Sequence, residues 1–451
     1  MKPDVASLSR RNILRSSLGV AAVMGASAGA ATLSESPPTR SDPVELAAAV
    51  APVNVRSFGA VGDGIADDTA AISNAIANLT EGSTLYLPQG KYRVTSLPAV
   101  PSYVTVYGDG TDASQIVYAG AGTLFTVAGR LRVRFYRLTI HVVSTTGTAI
   151  RLSNSFQCTL DSVHLAGDHV GGNYPTFAQT RGLVLDSNSG GNVVVNSNID
   201  NFGTGIVTSC IQNYVADSKM STNYVSILGT GNNFAAGMGL SNVEFVGDSV
   251  TSMHIRVDGR ASDWWITNCW FEGADTAISI GLAGTGGPAS LGIINSKVAA
   301  RRICIDLQHC RQPYLANVAI DPDGGYAPTE LRINGQYCAF GTAIGLISGQ
   351  SGDVAPASYP VGWFVVSRTQ TMLTVLGRPL VSQVTGANDA VTVVNQSGVL
   401  QSAILSSGAL YSARADAGVI LTSPGGTKWR LTVDDYGRVT PTNIGGARPT
   451  A

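Results

Sequence analysis

The sequence is poor in charged residues. Only 13% of its 451 residues are Asp, Glu, Lys or Arg, and 30 acidic side chains almost balance 29 basic ones. Proteins that hold nucleic acid or an anionic membrane surface through a broad basic field need an excess of Lys and Arg. Neither kind of partner is therefore expected.

Cysteine is too sparse for a disulfide scaffold, since only six of the 451 residues are Cys. They form no C-x-x-C pair, and no Cys/His cluster has the spacing of a zinc site. We interpret them as small buried hydrophobic residues, with a Cys304–Cys310 disulfide as the open alternative. The five histidines are scattered along the chain. No metal ion and no cofactor is predicted.

The apolar run near the N-terminus is shorter than the ~20 residues that a membrane-spanning helix needs. Residues 1–31 instead match a twin-arginine export signal, in which Ser9-Arg-Arg-Asn-Ile-Leu14 precedes a weak Gly/Ala-rich stretch. Cleavage near Ala28 or Ala30 would leave a linker over residues 32–52. The protein is predicted to be secreted by the twin-arginine route and to have no membrane contact after cleavage.

Glycine, by contrast, is abundant at 52 residues, and a composition rich in Gly, Ser, Thr, Asn, Val and Ile favours short strands joined by tight turns. The first Gly-rich stretch, "FGAVGDGIADDTAAISNAI", matches neither common phosphate-binding pattern. Asp67 or Asp68 is instead placed to cap a short helix with an apolar side of Ile72, Ile76 and Leu79. Such a helix would cover the open end of a stacked β-structure, where bare strands expose unpaired backbone groups.

Residues 53–110 resemble the start of the rhamnogalacturonase/epimerase-like pectate lyase superfamily. The likeness is carried by "FGAVGDGIADDTAAISNAI" and "LYLPQGKYRV", and it is only general further along the chain. It implies an all-β fold, a single right-handed parallel β-helix, and a carbohydrate as partner. By itself it assigns no catalytic residue.

A repeat supports the stacked architecture. Seven segments align with apolar or small residues at their second and fourth places: "SVHLAG", "NSNIDN", "DSKMST", "NVEFVG", "NCWFEG", "NSKVAA" and "NVAIDP". Their fourth places, from Leu165 to Ile320, are 34, 21, 25, 26, 27 and 22 residues apart. Each step is predicted to be one coil, and the β-helix is predicted over residues 53–350.

Period-two alternation assigns the second and fourth places to the core and the third and fifth places to the exterior. The third-place column reads His164, Asn198, Lys219, Glu244, Trp270, Lys297 and Ala319. The fifth-place column reads Ala166, Asp200, Ser221, Val246, Glu272, Ala299 and Asp321. One flat face thus collects charge around an exposed Trp, which suits a long polymer as ligand.

Hydrolysis of a glycosidic bond needs two carboxyl groups. Glu244 and Glu272 fall on adjacent coils and adjacent columns, a diagonal of roughly 7–8 Å between Cβ atoms. That span suits inverting hydrolysis. We predict both as catalytic residues, with Asp200 flanking them in the column of Glu272 and Trp270 stacking on a sugar ring.

A lyase or an epimerase is the alternative enzyme, since either removes the proton beside a uronate carboxylate with a base and neutralising cations. Lys219, Lys297 and His164 are the predicted substrate-binding residues for that chemistry. Asn198-Ile-Asp200 resembles the N-x-D of polygalacturonase-like hydrolases, but the other motifs of that group are missing. Charges outside a β-helix also serve simply to prevent aggregation.

Residues 360–451 are predicted to form β-hairpins around S-P-G-G and D-D-Y-G turns. They would cap the helix, join three chains, or bind sugar through Trp429, so the chain is predicted to be a monomer or a homotrimer. The sequence as a whole favours cleavage of an extracellular, uronate-containing polysaccharide by hydrolysis or β-elimination. A non-catalytic glycan-binding or adhesion module and a trimeric tailspike-like structural protein are the alternatives.

Overall fold

The described part of the chain is most of the predicted β-helix and parts of the tail. A computed structural model describes residues 51–231, 236–247, 251–350, 354, 359–360, 362–366, 373–375, 391–394, 400–404, 410–412 and 418–445. The predicted export signal and nearly all of the predicted linker lie outside these residues. Within the ranges given, no helix is long and apolar enough to cross a membrane.

Short parallel strands stack in about 12 coils and form a right-handed parallel β-helix, which confirms the predicted fold. A complete coil contributes one strand to each of three faces, and each strand pairs in parallel with its equivalents in the neighbouring coils. Two long strands, Asn213–Ser221 and Met238–Val246, run through both the first and the second face.

The three faces are named in the order in which the chain visits them. The first face comprises Val53–Asn54, Thr84–Leu87, Thr105–Gly108, Arg134–Tyr136, Thr159–Asp161, Val193–Val195, the two long strands, Ala261–Thr267, Pro288–Ile294, Pro313–Ala316, Thr342–Ile344 and Phe364–Val366. The second face comprises Asp63–Asp67, Gly90–Val94, Ser114–Tyr118, Thr139–Val142, His164–Ala166, Asn198–Asp200, the two long strands, Trp270–Glu272, Lys297–Ala300, Ala319–Pro322 and Ile347–Ser348. The third face comprises Thr123–Ala128, Thr148–Ser153, Arg181–Asp186, Thr204–Thr208, Val225–Gly229, Met253–Val257, Thr276–Ile280, Ile303–Leu307 and Thr329–Ile333.

Buried and exposed side chains alternate along the strands as the repeat predicts. Every second- and fourth-place side chain of the seven segments is buried, and the third- and fifth-place side chains are exposed or half-buried, except that Ala299 is buried. The predicted columns are the observed ones, since Asn198 pairs with Lys219, Lys219 with Glu244, and Glu244 with Trp270. The core therefore lies along the axis and the predicted charged surface is the outside of the second face.

Each of these coils turns from the first face to the second at one residue in the left-handed conformation. That residue is the first place of the repeat, with φ between 46° and 55° in Ser162, Asn196, Asp217, Asn242, Asn268, Asn295 and Asn317. Asn and Asp tolerate this conformation better than other residues that carry a Cβ. The polar first place is therefore explained by the turn.

Helix α1 (Thr69–Ala77) buries Ile72, Ala75 and Ile76 in the core at the start of the stack, as the sequence predicts. A short 3-10 helix, Val55–Phe58, precedes it. The buried Asp68 carboxylate accepts the backbone N–H groups of Val61 at 2.6 Å and Gly62 at 3.1 Å. The donors that a phosphate would need are thus already engaged, so the Gly-rich stretch belongs to a cap.

Parallel pairing continues past the predicted end of the helix at residue 350, because Phe364–Val366 pairs with Thr342–Ile344. Leu373–Val375 then adds to Phe364–Val366 in antiparallel orientation. The tail contains two antiparallel sheets of three strands each. Their strands are Val391–Val394, Leu400–Ile404 and Leu410–Ser412, and then Val419–Thr422, Lys428–Val433 and Val439–Gly445. The last sheet has its hairpin turns at the predicted S-P-G-G and D-D-Y-G positions.

Candidate functional site

An open groove of about 420 Å³ runs along the turn between the first and second faces, and we call it the corner groove. It is lined by Asn196, Asn198, Asp217, Ser218, Lys219, Asn242, Val243, Glu244, Asn268 and Trp270. The lining includes the left-handed first-place residues of four coils, which we call the corner residues, and four members of the third-place column. The result is a surface rich in amides, with one ion pair, one large ring and the carboxylate of Asp217, which accepts from the Asn242 amide at 2.8 Å.

Glu244 and Lys219 form an ion pair in this groove, with 3.2 Å between Lys219 Nζ and Glu244 Oε2. Their side chains are 47% and 42% exposed, and exposed pairs of this kind contribute ~0–1 kcal/mol. An incoming ligand can therefore displace one partner at low cost.

Trp270 is held from two sides. Its indole N–H donates to Glu272 Oε2 at 2.8 Å, and Lys297 Nζ lies 4.3 Å from the ring centroid. Lys297 also lies 3.6 Å from an oxygen of Asp321. These contacts orient the ring, which remains 46% exposed to solvent.

Glu244 and Glu272 take the predicted diagonal, since Glu244 pairs with Trp270 and Val246 pairs with Glu272. Asp200 is not part of this cluster. It belongs to the column of Glu272 but lies three coils away, which is about 14 Å along the axis. The structure thus places Glu244 and Glu272 on adjacent coils beside Trp270 and leaves Asp200 apart.

Asp200 and His164 form a separate pair, with 3.0 Å between His164 Nε2 and Asp200 Oδ2. The Ser221 hydroxyl donates to the other oxygen of Asp200 at 2.7 Å. A similar pair lies nearby, where His141 Nε2 is 2.7 Å from Asp168 Oδ1. Carboxylates hold both imidazole rings in place, as in many acid–base pairs.

His254 supports the candidate site from inside the helix. It lies on the third-face strand Met253–Val257, and its Nε2–H donates to the backbone carbonyl of Glu272 at 2.8 Å. The ring is buried against the stacked rings of Phe245 and Phe271. Its Nδ1 has no hydrogen-bond partner within the described ranges. Burial lowers the pKa of His254 to about 4, against the opposing effect of the carbonyl of Glu272.

The free energy of unfolding is therefore expected to fall as the pH drops from about 6.5 to 4. His254 is neutral in both states above pH 6.5, but between these values the unfolded chain takes up the proton while the folded chain does not. Within this window the loss is up to ~1.4 kcal/mol per pH unit. Urea unfolding at several pH values should show a weaker dependence in His254→Gln, whose amide can still donate to Glu272. An unchanged slope in the variant would contradict this account.

Other reactive groups are not assembled into a centre. No three His, Cys, Asp or Glu residues of the described part are grouped as metal ligands. The six cysteines are all free and buried, as the sequence predicts, and no Cys304–Cys310 disulfide is present. Burial raises the pKa of the Cys158 and Cys269 thiols to about 11, which makes them poor nucleophiles at neutral pH.

Two features around the candidate site are not predicted from the sequence. The first-place residues of the repeat are predicted to be polar, but the sequence does not show that they line a groove. That requires their left-handed φ, which turns the chain between the two faces. His254 was one of five scattered histidines, and its contact with Glu272 joins two faces of the coil. The recurring Asn or Asp at the first place is the sequence signal for this left-handed turn.

A stack of parallel coils with an amide- and aromatic-lined external groove places the protein among the parallel β-helix proteins. Residues 52–129 match the family described as rhamnogalacturonase A/epimerase, pectate lyase-like. The match confirms the resemblance in the sequence for these N-terminal coils, and it covers 52–129 of the 451 residues.

Two named enzymes are similar to short parts of the chain, and one solved structure is similar over most of it. The mannuronan C5-epimerase AlgE4 of Azotobacter vinelandii is 42% identical over 76 residues, which is 16% of this chain and 13% of the epimerase. A capsule K30/K69-specific depolymerase of Klebsiella phage K64-1 is 40% identical over 94 residues, 18% of this chain and 12% of the depolymerase. The solved structure of ORF18 from Geobacillus virus E2 is 15% identical, covers 88% of this chain and 75% of its own, and has a TM-score of 0.43. The chain thus matches only a small part of either named enzyme.

Proposed function

We propose that this protein is an exported polysaccharide-active β-helix that binds a uronate-containing chain along the corner groove and hydrolyses its glycosidic bonds. The observation that carries the proposal is the diagonal of Glu244 and Glu272 around the oriented ring of Trp270. Sequence relatives whose names specify mannuronan and a bacterial capsule as targets support the substrate class. Export rests on the twin-arginine motif of residues 1–31.

In this mechanism a sugar ring stacks on Trp270 and a neighbouring uronate carboxylate displaces Glu244 from Lys219. One glutamate, in its protonated form, gives its proton to the glycosidic oxygen. The other, as a carboxylate, activates a water on the opposite side of the ring. The Cβ atoms lie on a diagonal of roughly 7–8 Å. In this mechanism the carboxyl groups lie about 6.5–9.5 Å apart, which leaves room for that water, and we expect inversion at the anomeric carbon.

β-Elimination is the second candidate, and the two lysines favour it. Lys219 and Lys297 lie in the same column on either side of Glu244 and Trp270. Cations so placed can neutralise a uronate carboxylate and make the adjacent C5 proton more acidic. A base then removes that proton, the C4–O bond breaks, and a C4=C5 double bond forms. Glu244 or His164 would be the base.

Products from a polysaccharide panel distinguish these reactions. The mature protein, recovered from the culture medium as a test of export, is incubated with uronate-rich and neutral polymers. Reducing ends and the ultraviolet absorbance of unsaturated uronate are followed together. We expect new reducing ends without absorbance from a uronate-rich polymer. Both signals together would identify a lyase, and retention of a polymer without either signal would identify a binding module.

A further inference from the structure

The first face carries a column of exposed aromatic rings outside the corner groove. Tyr214, Trp265, Tyr314 and Phe364 occupy one register position on every second coil. Gly239, Gly292 and Thr342 occupy the same position on the coils between them. Each ring is between 37% and 48% exposed. We call these four residues the aromatic strip.

The small residues between the rings allow the rings to lie across the next coil. A Cβ on Gly292 would stand 2.2 Å from Trp265 Cε3, and one on Gly239 would stand 2.8 Å from Tyr214 Cδ1. The rings therefore occupy the space that a side chain would fill on the next coil. This arrangement holds the rings against the backbone and leaves their outer surface to solvent.

Polar groups line one side of the strip. Asp263, Ser290 and Gln312 each stand two residues before the strip position of three successive coils. Asp263 pairs in register with Ser290, and the Ser290 hydroxyl donates to the Asp263 carboxylate. Ser290 and Gln312, together with three of the rings, border an open groove of about 480 Å³. Its lining comprises Trp265, Ser290, Leu291, Gln312, Tyr314, Phe340, Gly341, Thr342, Gly362 and Phe364, with no ionised side chain.

We propose that the aromatic strip binds a neutral glycan lengthwise, as a second carbohydrate site on the first face. Rings on every second coil are about 9.6 Å apart, close to the length of two pyranose units in an extended chain. Alternate sugars would stack on the rings, and hydroxyl groups at their edges would reach Ser290 and Gln312. The lining of this groove has no cation, whereas Lys219 lies in the corner groove, so the two grooves select different glycans.

The strip is independent of the corner groove in a single coil. Trp265 belongs to the first face and Trp270 to the second, and the left-handed Asn268 turns the chain between them. The two indoles therefore serve different surfaces. Glycan binding to the strip does not require that the proposed cleavage be correct.

Affinity electrophoresis tests the proposal with soluble neutral β-1,4-linked polymers, hydroxyethylcellulose and galactomannan, in the gel. We expect at least one of them to retard the full-length mature protein. The double variant Trp265→Ala/Tyr314→Ala should weaken that retention by at least about tenfold in apparent affinity. Gly292→Ala, which keeps both rings but displaces the indole, should weaken it in the same direction. Tyr326→Ala removes an equally exposed ring outside the strip and should change nothing.

Three results would overturn the proposal. One is that neither neutral polymer retards the protein. Another is that retention is lost in Trp270→Ala but kept in the strip variant, which would place all binding in the corner groove. The third is an oligomer by light scattering that becomes a monomer in the strip variant, which would make the strip an interface between copies of this chain. Circular dichroism of each variant establishes that its fold is retained.

Discussion

Glu244→Gln and Glu272→Gln are each expected to lower the rate of polysaccharide cleavage by about 10²–10⁴-fold. Glutamine keeps the size of the side chain and its ability to hydrogen-bond, but it neither gives nor takes the proton at neutral pH. The Trp270 N–H can still donate to the amide oxygen at position 272, so the platform is retained. Reducing ends released from the best polymer of the panel measure the rate.

Glu81→Gln is the matched control, because Glu81 is an exposed carboxylate in a turn near helix α1 and is far in sequence from the groove. Its rate should equal that of the unaltered protein. Binding of the polymer should survive in both groove variants. Full activity in Glu244→Gln and Glu272→Gln, with cleavage still observed in the unaltered protein, would remove both glutamates from the reaction and direct attention to the His164–Asp200 pair.

Phe271→Ala is expected to lower the free energy of unfolding by about 3–5 kcal/mol. Phe271 is fully buried and stacks on Phe245 of the preceding coil, with 4.5 Å between ring centroids and 6° between ring planes. Its removal leaves a cavity in a close-packed core that also contains His254. Because a solenoid is stabilised mainly by contacts between neighbouring coils, the loss should appear as a large drop in the urea midpoint.

Trp270→Ala provides the comparison on the same strand. Trp270 is adjacent to Phe271 in sequence but points outward, and its contacts are with exposed or half-exposed partners. We expect about 1 kcal/mol or less of lost stability together with lost binding in the corner groove. Equal destabilisation by the two substitutions would contradict the assignment of inward and outward positions on this strand.

The residues of the aromatic strip keep a constant offset from the repeat in the sequence. Tyr214, Trp265 and Tyr314 each stand six residues before the fourth place of their segment, at Met220, Phe271 and Ile320. The same offset leads to Gly239 and Gly292 in the coils between them. The pattern was therefore present in the sequence, but the aligned segments began after it. Its meaning as a strip depends on the register of the first face.

The corner groove depended on information of a different kind. The sequence places Lys219, Glu244 and Trp270 in one outward column, because side chains alternate along any strand. Alternation does not say where the chain bends or which side chains across the bend share a groove. Those answers come from the left-handed φ of Asn242 and Asn268, which follows from the backbone path of the whole coil.

The sequence by itself determined the coil, the inward and outward columns, the capping helix and the hairpin turns of the tail, because each depends on periodicity or on the local preferences of a few adjacent residues. Only the tertiary structure decided three contacts. Asp200, which lies three coils from Glu272, pairs with His164. Glu272 accepts a hydrogen bond from the indole N–H of Trp270, and His254 donates to the backbone carbonyl of Glu272 from another face. These contacts depend on side-chain conformations and on how the faces of the coils lie against one another, and alternation along a strand specifies neither.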